Sequence, residues 1–538
     1  MTGELRPNPA SGGDAKDNGE RGRAGRSLRR VMAGILPATL AVQLCSFASA
    51  IAVATVLGAS TATDAYYLAL SIPLLVYGIL LSGLRSGAIP ELTDQLRGGE
   101  APFTRAAGQL LSAVLILSLV LTCVGTGLAL LVLPQLAGDA SAALVSSARS
   151  MVVSLAPIGV IGALAGALGA LLTVRGRPVS PVAVLAFDPL LRTLFVIFLG
   201  PALGTSALIA GNLAGGALAV LSLAYLLIRR ERISLHLMAP ARSSFLLGVL
   251  GVSLPLMVGQ GFAQLSPLAS RTVASTLGPG SITVFELGLR VFSLPVALLG
   301  SVMIAPLTAA WAARYQDRGW AAVSRSFGRA LAGLLVVLPP IVVLGIALRG
   351  ELMGLLFDGG AYSAEAVNQT ASVFGMLLLG LPAQLAVILL ATLFLVRKDA
   401  VVPMLIAVAN VALTVGLALA LRPSLGLAGI ALATSLTFTI LCAVYFAIAS
   451  RRLGALKVGW LGGALLRSVV STALIAAVAW LVLSALPAPE GKLGYILTIG
   501  ATGGAGIVVH LLILILGREP EVRRLLPRGL RPPPGTEA

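Results

Sequence analysis

"LGTSALIAGNLAGGALAVLSLAYLLIRR" at 203–230 and "LGLAGIALATSLTFTILCAVYFAIASRR" at 425–452 open on the same Leu-Gly pair, cross 24 uncharged residues and close on the same Arg-Arg pair. A stretch of about 20 apolar residues is long enough to cross the hydrocarbon core of a bilayer as a helix. Each copy therefore reads as a membrane span with a basic end, and the two lie 222 residues apart. The register holds without a gap from residues 175 and 397 onward: Arg175 falls on Arg397, Pro181 on Pro403, Pro201 on Pro423 and Asp188 on Asn410. The same offset pairs Asp64 with Glu286 and Pro73 with Pro295, each acid nine residues before its proline. The chain has been built by duplication.

Composition sets the class. Of 538 residues 57% are hydrophobic and 11% charged, with a mean hydropathy of +0.98, whereas a soluble domain is roughly 25% charged. The fold class expected is an all-α polytopic membrane protein of about 14 transmembrane helices. Apolar runs centre on 31–57, 64–89, 107–135, 148–173, 181–200, 205–228, 244–269, 282–312, 329–348, 367–395, 401–420, 427–449, 467–487 and 494–516. The repeat groups them as two six-helix lobes, 29–230 and 243–452, with an extra helix pair at 466–516. Six spans per lobe give both repeats one orientation, an arrangement that in secondary transporters puts the substrate site between the halves.

Lys and Arg are enriched in cytoplasmic loops. With the N-terminus inside, 30 of the 38 lie on the cytoplasmic side, and Arg149, Arg271, Arg349, Arg422 and Lys492 lie outside. Arg85, Arg192 and Arg290 fall within spans. The formal charge of +17 is then a topological bias and a basic face toward anionic lipid, with no nucleic acid implied. Both termini are expected in the cytoplasm, on a disordered tail at 1–28 and a second tail at 517–538. "SFASAI" at 46–51 resembles a cleavage site, but no polar mature domain follows it, so the first run reads as an uncleaved span.

Five stretches carry a family resemblance: "ELMGLLFDGGAYSAEAVNQTASVFGMLLLGLPAQL" (351–385), "GSITVFELGLRVFSLPVALLG" (280–300), "TATDAYYLALSIP" (61–73), "LLTVRGRPVSPV" (171–182) and "SLGLAGIALATSL" (424–436). Together they resemble the MviN/MurJ family, lipid II flippases in a superfamily that also holds polysaccharide flippases and multidrug exporters. The similarity runs from about residue 30 to 516. It implies two six-helix lobes around a cationic central cavity, a last helix pair forming a groove for the lipid, and an undecaprenyl-pyrophosphate-linked cargo moved across the inner membrane. Arg290, five residues before Pro295, stands where the family carries a substrate-contacting arginine. Arg271 matches another basic position of the family, preceded here by Ser270. Two arginines usual in the family's first span are matched by Gln43 and Ser49, and a pair in its second span by Tyr77 and Gly78, with Arg85 further along that helix.

A charge within lipid is costly and normally faces a cavity or a partner. Glu286 and Arg290 are one helical turn apart, as are Asp188 and Arg192. Two readings stand for each pair, a self-neutralising bridge or a working site. The substrate-binding set expected is Arg290, Glu286, Arg85, Arg271 and Asp64, with Asp188 and Arg192 as a second ion pair. A planar multi-donor guanidinium suits phosphate. Asp64 begins a span behind "TAT", which offers Thr63 as a cap and leaves a helix-terminal or a gating role open.

Cys45, Cys123 and Cys442 lie inside spans and form neither a disulfide framework nor a metal spacing. No GxxxxGK[ST] loop and only two histidines, His236 and His510, occur, so neither nucleotide hydrolysis nor a His-based metal site is expected. Without a cofactor, transport would draw on the membrane potential, an ion gradient or the substrate gradient; one charge crossing 100 mV is worth about 2.3 kcal/mol. Three functions are carried forward: a lipid II flippase, a flippase for another lipid-linked oligosaccharide or an exporter of the same superfamily, and a transport-inactive scaffold for cell-envelope assembly. The partners expected are the lipid-linked glycan, membrane lipids and cell-wall synthesis proteins. The turn at Gly359–Gly360, with Ser363 capping the next helix, is expected to lie outside in an ordered loop.

Overall fold

In a computed structural model of the chain, the described residues are 13–136, 142–233, 236–238, 244–300, 305–397, 399, 401–453 and 461–516. The expected tail 517–538 and residues 1–12 fall outside them. The first half contains α1 (Gly13–Leu57), α2 (Thr61–Gly83), α3 (Ile89–Arg97), α4 (Glu100–Leu136), α5 (Ala142–Leu155), α6 (Pro157–Val174), α7 (Val179–Ala183), α8 (Phe187–Leu203) and α9 (Thr205–Tyr225). The second half contains α10 (Ser244–Ala274), α11 (Ser281–Leu299), α12 (Ala305–Ala347), α13 (Arg349–Phe357), α14 (Ala364–Val396) and α15 (Val401–Arg452), followed by α16 (Leu461–Ala485) and α17 (Gly491–Leu516). No strand occurs among the described residues.

Twelve helical stretches among these residues are long and apolar enough to cross a membrane. One is α15, whose 52 residues would measure roughly 78 Å as a single helix, far more than a bilayer needs. It breaks at Gly426 (φ 57°, ψ −133°) into two arms. With α10, a further 31-residue helix whose one charge is Arg271, the total is the fourteen spans expected. The first helix begins earlier than expected, at Gly13 inside the 1–28 stretch read as a disordered tail. Adding residues to an existing helix avoids the nucleation cost, and the Arg, Lys and Glu residues there are good helix formers.

The duplication is visible in the backbone. The α5–α6 span runs 142–174 and α14 runs 364–396; α7–α8 runs 179–203 and the first arm of α15 runs 401–425. Every bound is displaced by 222. Gly204, between α8 and α9, has φ 57° and ψ −134°, matching Gly426. Only glycine adopts that region cheaply, so the Leu-Gly pair shared by the two copies is a chain reversal written twice.

The halves meet along α2 and α10. Ser253 on α10 donates to the Gly83 carbonyl at 2.8 Å, and Gln264 reaches the Leu74 carbonyl at 3.4 Å. At the end of the bundle assigned to the outside by charge bias, the Ala361 amide donates to the Thr55 carbonyl at 2.8 Å. That tie fixes the Gly359–Gly360 turn against the end of α1, and Ser363 caps α14 by accepting from the Ala366 amide at 3.2 Å.

Candidate functional site

Between the halves lies a small cavity of about 40 Å³ whose wall includes Arg192, Arg271, Glu286 and Arg290. Three guanidiniums thus face one carboxylate. Arg192 comes from α8, Arg271 from the last turn of α10, and Glu286 and Arg290 from consecutive turns of α11.

Glu286 pairs differently from the one-turn spacing expected. Its Oε1 accepts from Arg271 Nε at 2.6 Å, and the two side chains are only 9% and 11% exposed. Arg271 also donates through Nη1 to Ser71 on α2 at 2.6 Å, crossing between the halves. A carboxylate can satisfy itself with the guanidinium that the tertiary fold delivers to it, and spacing along one helix does not register a residue on another. Among the described residues Arg290 makes no side-chain hydrogen bond or ion pair. It is close enough to feel the charges of Arg192, Glu286 and Arg271.

Arg192 is held by its surroundings. Its Nε donates to Ser49 Oγ at 2.7 Å and its Nη1 to Asn212 Oδ1 at 3.1 Å, while Asn212 Nδ2 donates to the Tyr66 hydroxyl. Asp188, the expected partner one turn away, forms the ion pair: its Oδ2 stands 3.8 Å from Arg192 Nη1, too far for a hydrogen bond, and its side chain is 42% exposed. The small residues of "GNLAG" explain how α9 comes so near: a Cβ at Gly211 would lie 2.6 Å from Arg192 Cα, and one at Gly215 2.4 Å from Asp188 Cα. The close-packing spacing at 211–215 thus brings Asn212 within reach of Arg192. Ser49 stands out in the sequence only as the match to a family arginine, and Asn212 and Tyr66 only as polar groups inside apolar spans.

Asp64 is not part of the cavity wall. It is 1% exposed, and its Oδ1 accepts from the Thr283 amide at 2.8 Å and the Thr283 hydroxyl at 2.7 Å. The carboxylate therefore sits on the N-terminal turn of α11, in the other half, where unpaired amides and the helix dipole favour a negative charge. The cap of α2 is Ser60, not Thr63: Ser60 Oγ accepts from the Thr63 amide at 3.3 Å, and Thr63 Oγ1 accepts from the Ser60 amide at 2.9 Å. Thr63 fills the third position of a capping box. Arg85 lies in the wide helical turn Leu84–Ala88 after α2, and its side chain is outside the described residues. Of the expected set, the fold brings Arg290, Glu286, Arg271 and Arg192 together and sets Asp64 apart.

Comparison with known proteins follows the same lines. A curated relative from Rhizobium meliloti (strain 1021), named probable lipid II flippase MurJ, is 24% identical over 423 residues, covering 76% of this chain and 78% of the relative. Another of that name from Synechocystis sp. is 22% identical over 482 residues, covering 85% and 88%. A solved structure of lipid II flippase MurJ in an inward closed conformation superposes with a TM-score of 0.75 at 17% identity, over 90% of this chain and 99% of the other. An inward-facing multidrug resistance MATE family transporter of the MOP superfamily gives 0.66 at 18% identity, over 80% and 99%. At such identities the structural likeness establishes the fold. The sequence profile of the family described as lipid II flippase MurJ matches residues 53–501, most of the chain, and the chain belongs to that family.

Proposed function

We infer that this chain flips the undecaprenyl-pyrophosphate-linked peptidoglycan precursor, lipid II, across the plasma membrane by alternating access. The observation that carries the reading is the cavity between the halves, where the unpartnered guanidinium of Arg290 stands beside the Arg271–Glu286 pair. Arg290 offers a phosphate a planar fork of donors. Glu286 holds Arg271 in place and offsets part of the positive charge while the site is empty. A diphosphate competes with that carboxylate for Arg271, so binding loosens a contact that orders α10 against α11.

The cavity in this closed arrangement is small, about 40 Å³, room for a few waters at the arginines. Entry of a diphosphate with its sugar-peptide head therefore requires the lobes 29–230 and 243–452 to separate. The seam between α2 and α10 and the outer ties at Asp64 and Ala361 are then the contacts that yield in alternation. The polyprenyl tail stays in lipid along α16 and α17, the extra pair at 466–516. Neither a nucleotide nor a cofactor is assigned a role; the membrane potential or an ion gradient supplies the drive. Both termini face the cytoplasm, where cell-wall synthesis proteins that make the precursor are the partners.

Expression in a strain whose own lipid II flippase can be shut off tests the reading. Growth restored by the chain, and not by Arg290→Ala at equal protein level, supports it. A well-inserted wild-type chain that fails to restore growth would contradict it and favour another lipid-linked glycan as cargo.

A further inference from the structure

We propose that Arg192 is a second anion-binding residue of the cavity, contributed by the first half, which contacts one phosphate of a diphosphate while Arg290 and Arg271 contact the other. The proposal deepens the flippase reading above and rests on it.

The duplication supplies the argument. Displacing Arg271 by the repeat offset of 222 lands on residue 49, which is a serine. The second half therefore has a guanidinium at this place on its first span, and the first half lacks one on its own. Arg192 fills the gap from another helix: its Nε donates to the Ser49 hydroxyl at 2.7 Å, so its head group stands beside the residue that is the mate of Arg271. Arg271 in turn donates to Ser71 at 2.6 Å. Each guanidinium thus rests against a serine of the first half, and both line the same cavity together with Arg290.

Orientation and charge point the same way. Asn212 and Tyr66, 4% and 1% exposed, brace Arg192: Asn212 Oδ1 accepts from it at 3.1 Å, and the Tyr66 hydroxyl accepts from Asn212 Nδ2 and fixes that amide. With Ser49 these contacts occupy at most three of the five guanidinium N–H donors and leave the rest for a ligand. The one carboxylate in the cavity wall, Glu286, is already engaged by Arg271, and Asp188, outside that wall, pairs with Arg192 at 3.8 Å without taking up a hydrogen bond. Three guanidiniums that line one cavity around a single engaged carboxylate call for a multiply charged anion. A diphosphate, with a phosphate group for each half, matches that demand better than a monophosphate. A bridge across the halves would also couple the ligand to their relative motion.

The test uses the full chain in lipid nanodiscs and three probes: undecaprenyl diphosphate, undecaprenyl monophosphate and inorganic pyrophosphate. The wild type is expected to bind the lipid diphosphate at least about tenfold more tightly than the monophosphate. Arg192→Gln should weaken diphosphate binding by about tenfold or more, a difference of about 1.4 kcal/mol, and leave monophosphate binding within about twofold. Arg192→Lys should fall between, since an ammonium keeps the charge without the fork. Arg192→Ser combined with Ser49→Arg, which returns the guanidinium to the repeat position, should restore the preference. Pyrophosphate binding that also weakens in Arg192→Gln would place recognition on the diphosphate itself. Pyrophosphate that does not bind while the lipid diphosphate does, with the same Arg192 dependence, would show that the lipid is needed as well; either result supports the proposal.

A preference for diphosphate that survives Arg192→Gln would overturn the role of Arg192 and leave the flippase reading intact. Loss of the folded, monodisperse species in both the Gln and Lys variants would reduce Arg192 to a brace between α1, α8 and α9 and also overturn it. A folded wild type that binds neither lipid would overturn the flippase reading and this inference together.

Discussion

Replacing Asp64 should open the outer end of the molecule. Its carboxylate accepts two hydrogen bonds from Thr283, at 2.8 and 2.7 Å, at a site 1% exposed. Hydrogen bonds to a charged group contribute about 1.5–3 kcal/mol each. Two that share one carboxylate do not add fully, and a total of about 3 kcal/mol for Asp64→Ala is the working figure. At about 1.4 kcal/mol per factor of ten, the population with α2 and the start of α11 apart rises roughly 100-fold. Asp64→Asn keeps an acceptor oxygen and loses the charge, so about half the energy and a roughly tenfold rise are expected. The reporter is a cysteine at Leu70, a residue of the cavity wall, in a chain whose Cys45, Cys123 and Cys442 are replaced by serine. Its labelling by a membrane-impermeant maleimide is timed from the outer face. The expected rates rank Ala above Asn above wild type, with Thr283→Val close to Asn. Equal or slower labelling in Asp64→Ala, at normal protein level, would refute the assignment of this contact as an outer tie.

Gly204→Ala and Gly426→Ala should destabilise by the same amount, about 1–3 kcal/mol each, because the two glycines share one backbone conformation; thermal unfolding in detergent compares them. Glu286→Gln leaves Arg271 buried without its acid, a loss of about 3–5 kcal/mol for a broken buried pair, visible as reduced folded yield. Adding Arg271→Gln should restore the yield without restoring transport, whereas adding Arg290→Gln should restore neither. A reporter active only in the cytoplasm should work when fused after Arg230 or Arg452 and be silent near Ser363; activity at Ser363 would overturn the fourteen-span topology.

Hydropathy and the repeat are properties of the chain itself, so the spans, the 222-residue register and the Ser363 cap could be read directly from residue order. A repeat even locates the chain reversals, because Leu203–Gly204 and Leu425–Gly426 must do the same job twice. The site was legible only in part. Residues one turn apart invite pairing, so residue order points Glu286 at Arg290; the fold instead brings α10 back beside α11 and delivers Arg271, fifteen residues earlier, to the same carboxylate. Arg192 does pair with Asp188 one turn away, at 3.8 Å, but makes no hydrogen bond to it. Its working partners, Ser49 and Asn212, lie on other helices, 143 and 20 residues away, and nothing in local spacing encodes a meeting of three helices. Asp64 was visible as an acid at a helix start. That the helix start it serves belongs to α11, 219 residues on, is a consequence of how the halves are docked.

The most direct test of the account is transbilayer movement itself. Purified chain is reconstituted into vesicles with lipid II labelled on its head group, and an impermeant reductant reports how fast the inner-leaflet label reaches the outer surface. The wild type should exhaust the protected half of the signal, and Arg290→Ala, equally well incorporated, should leave it protected as in vesicles without protein. Wild-type vesicles that retain the protected half as protein-free vesicles do, or an Arg290→Ala variant as fast as wild type, would contradict the claim that this cavity carries the lipid-linked diphosphate across the membrane.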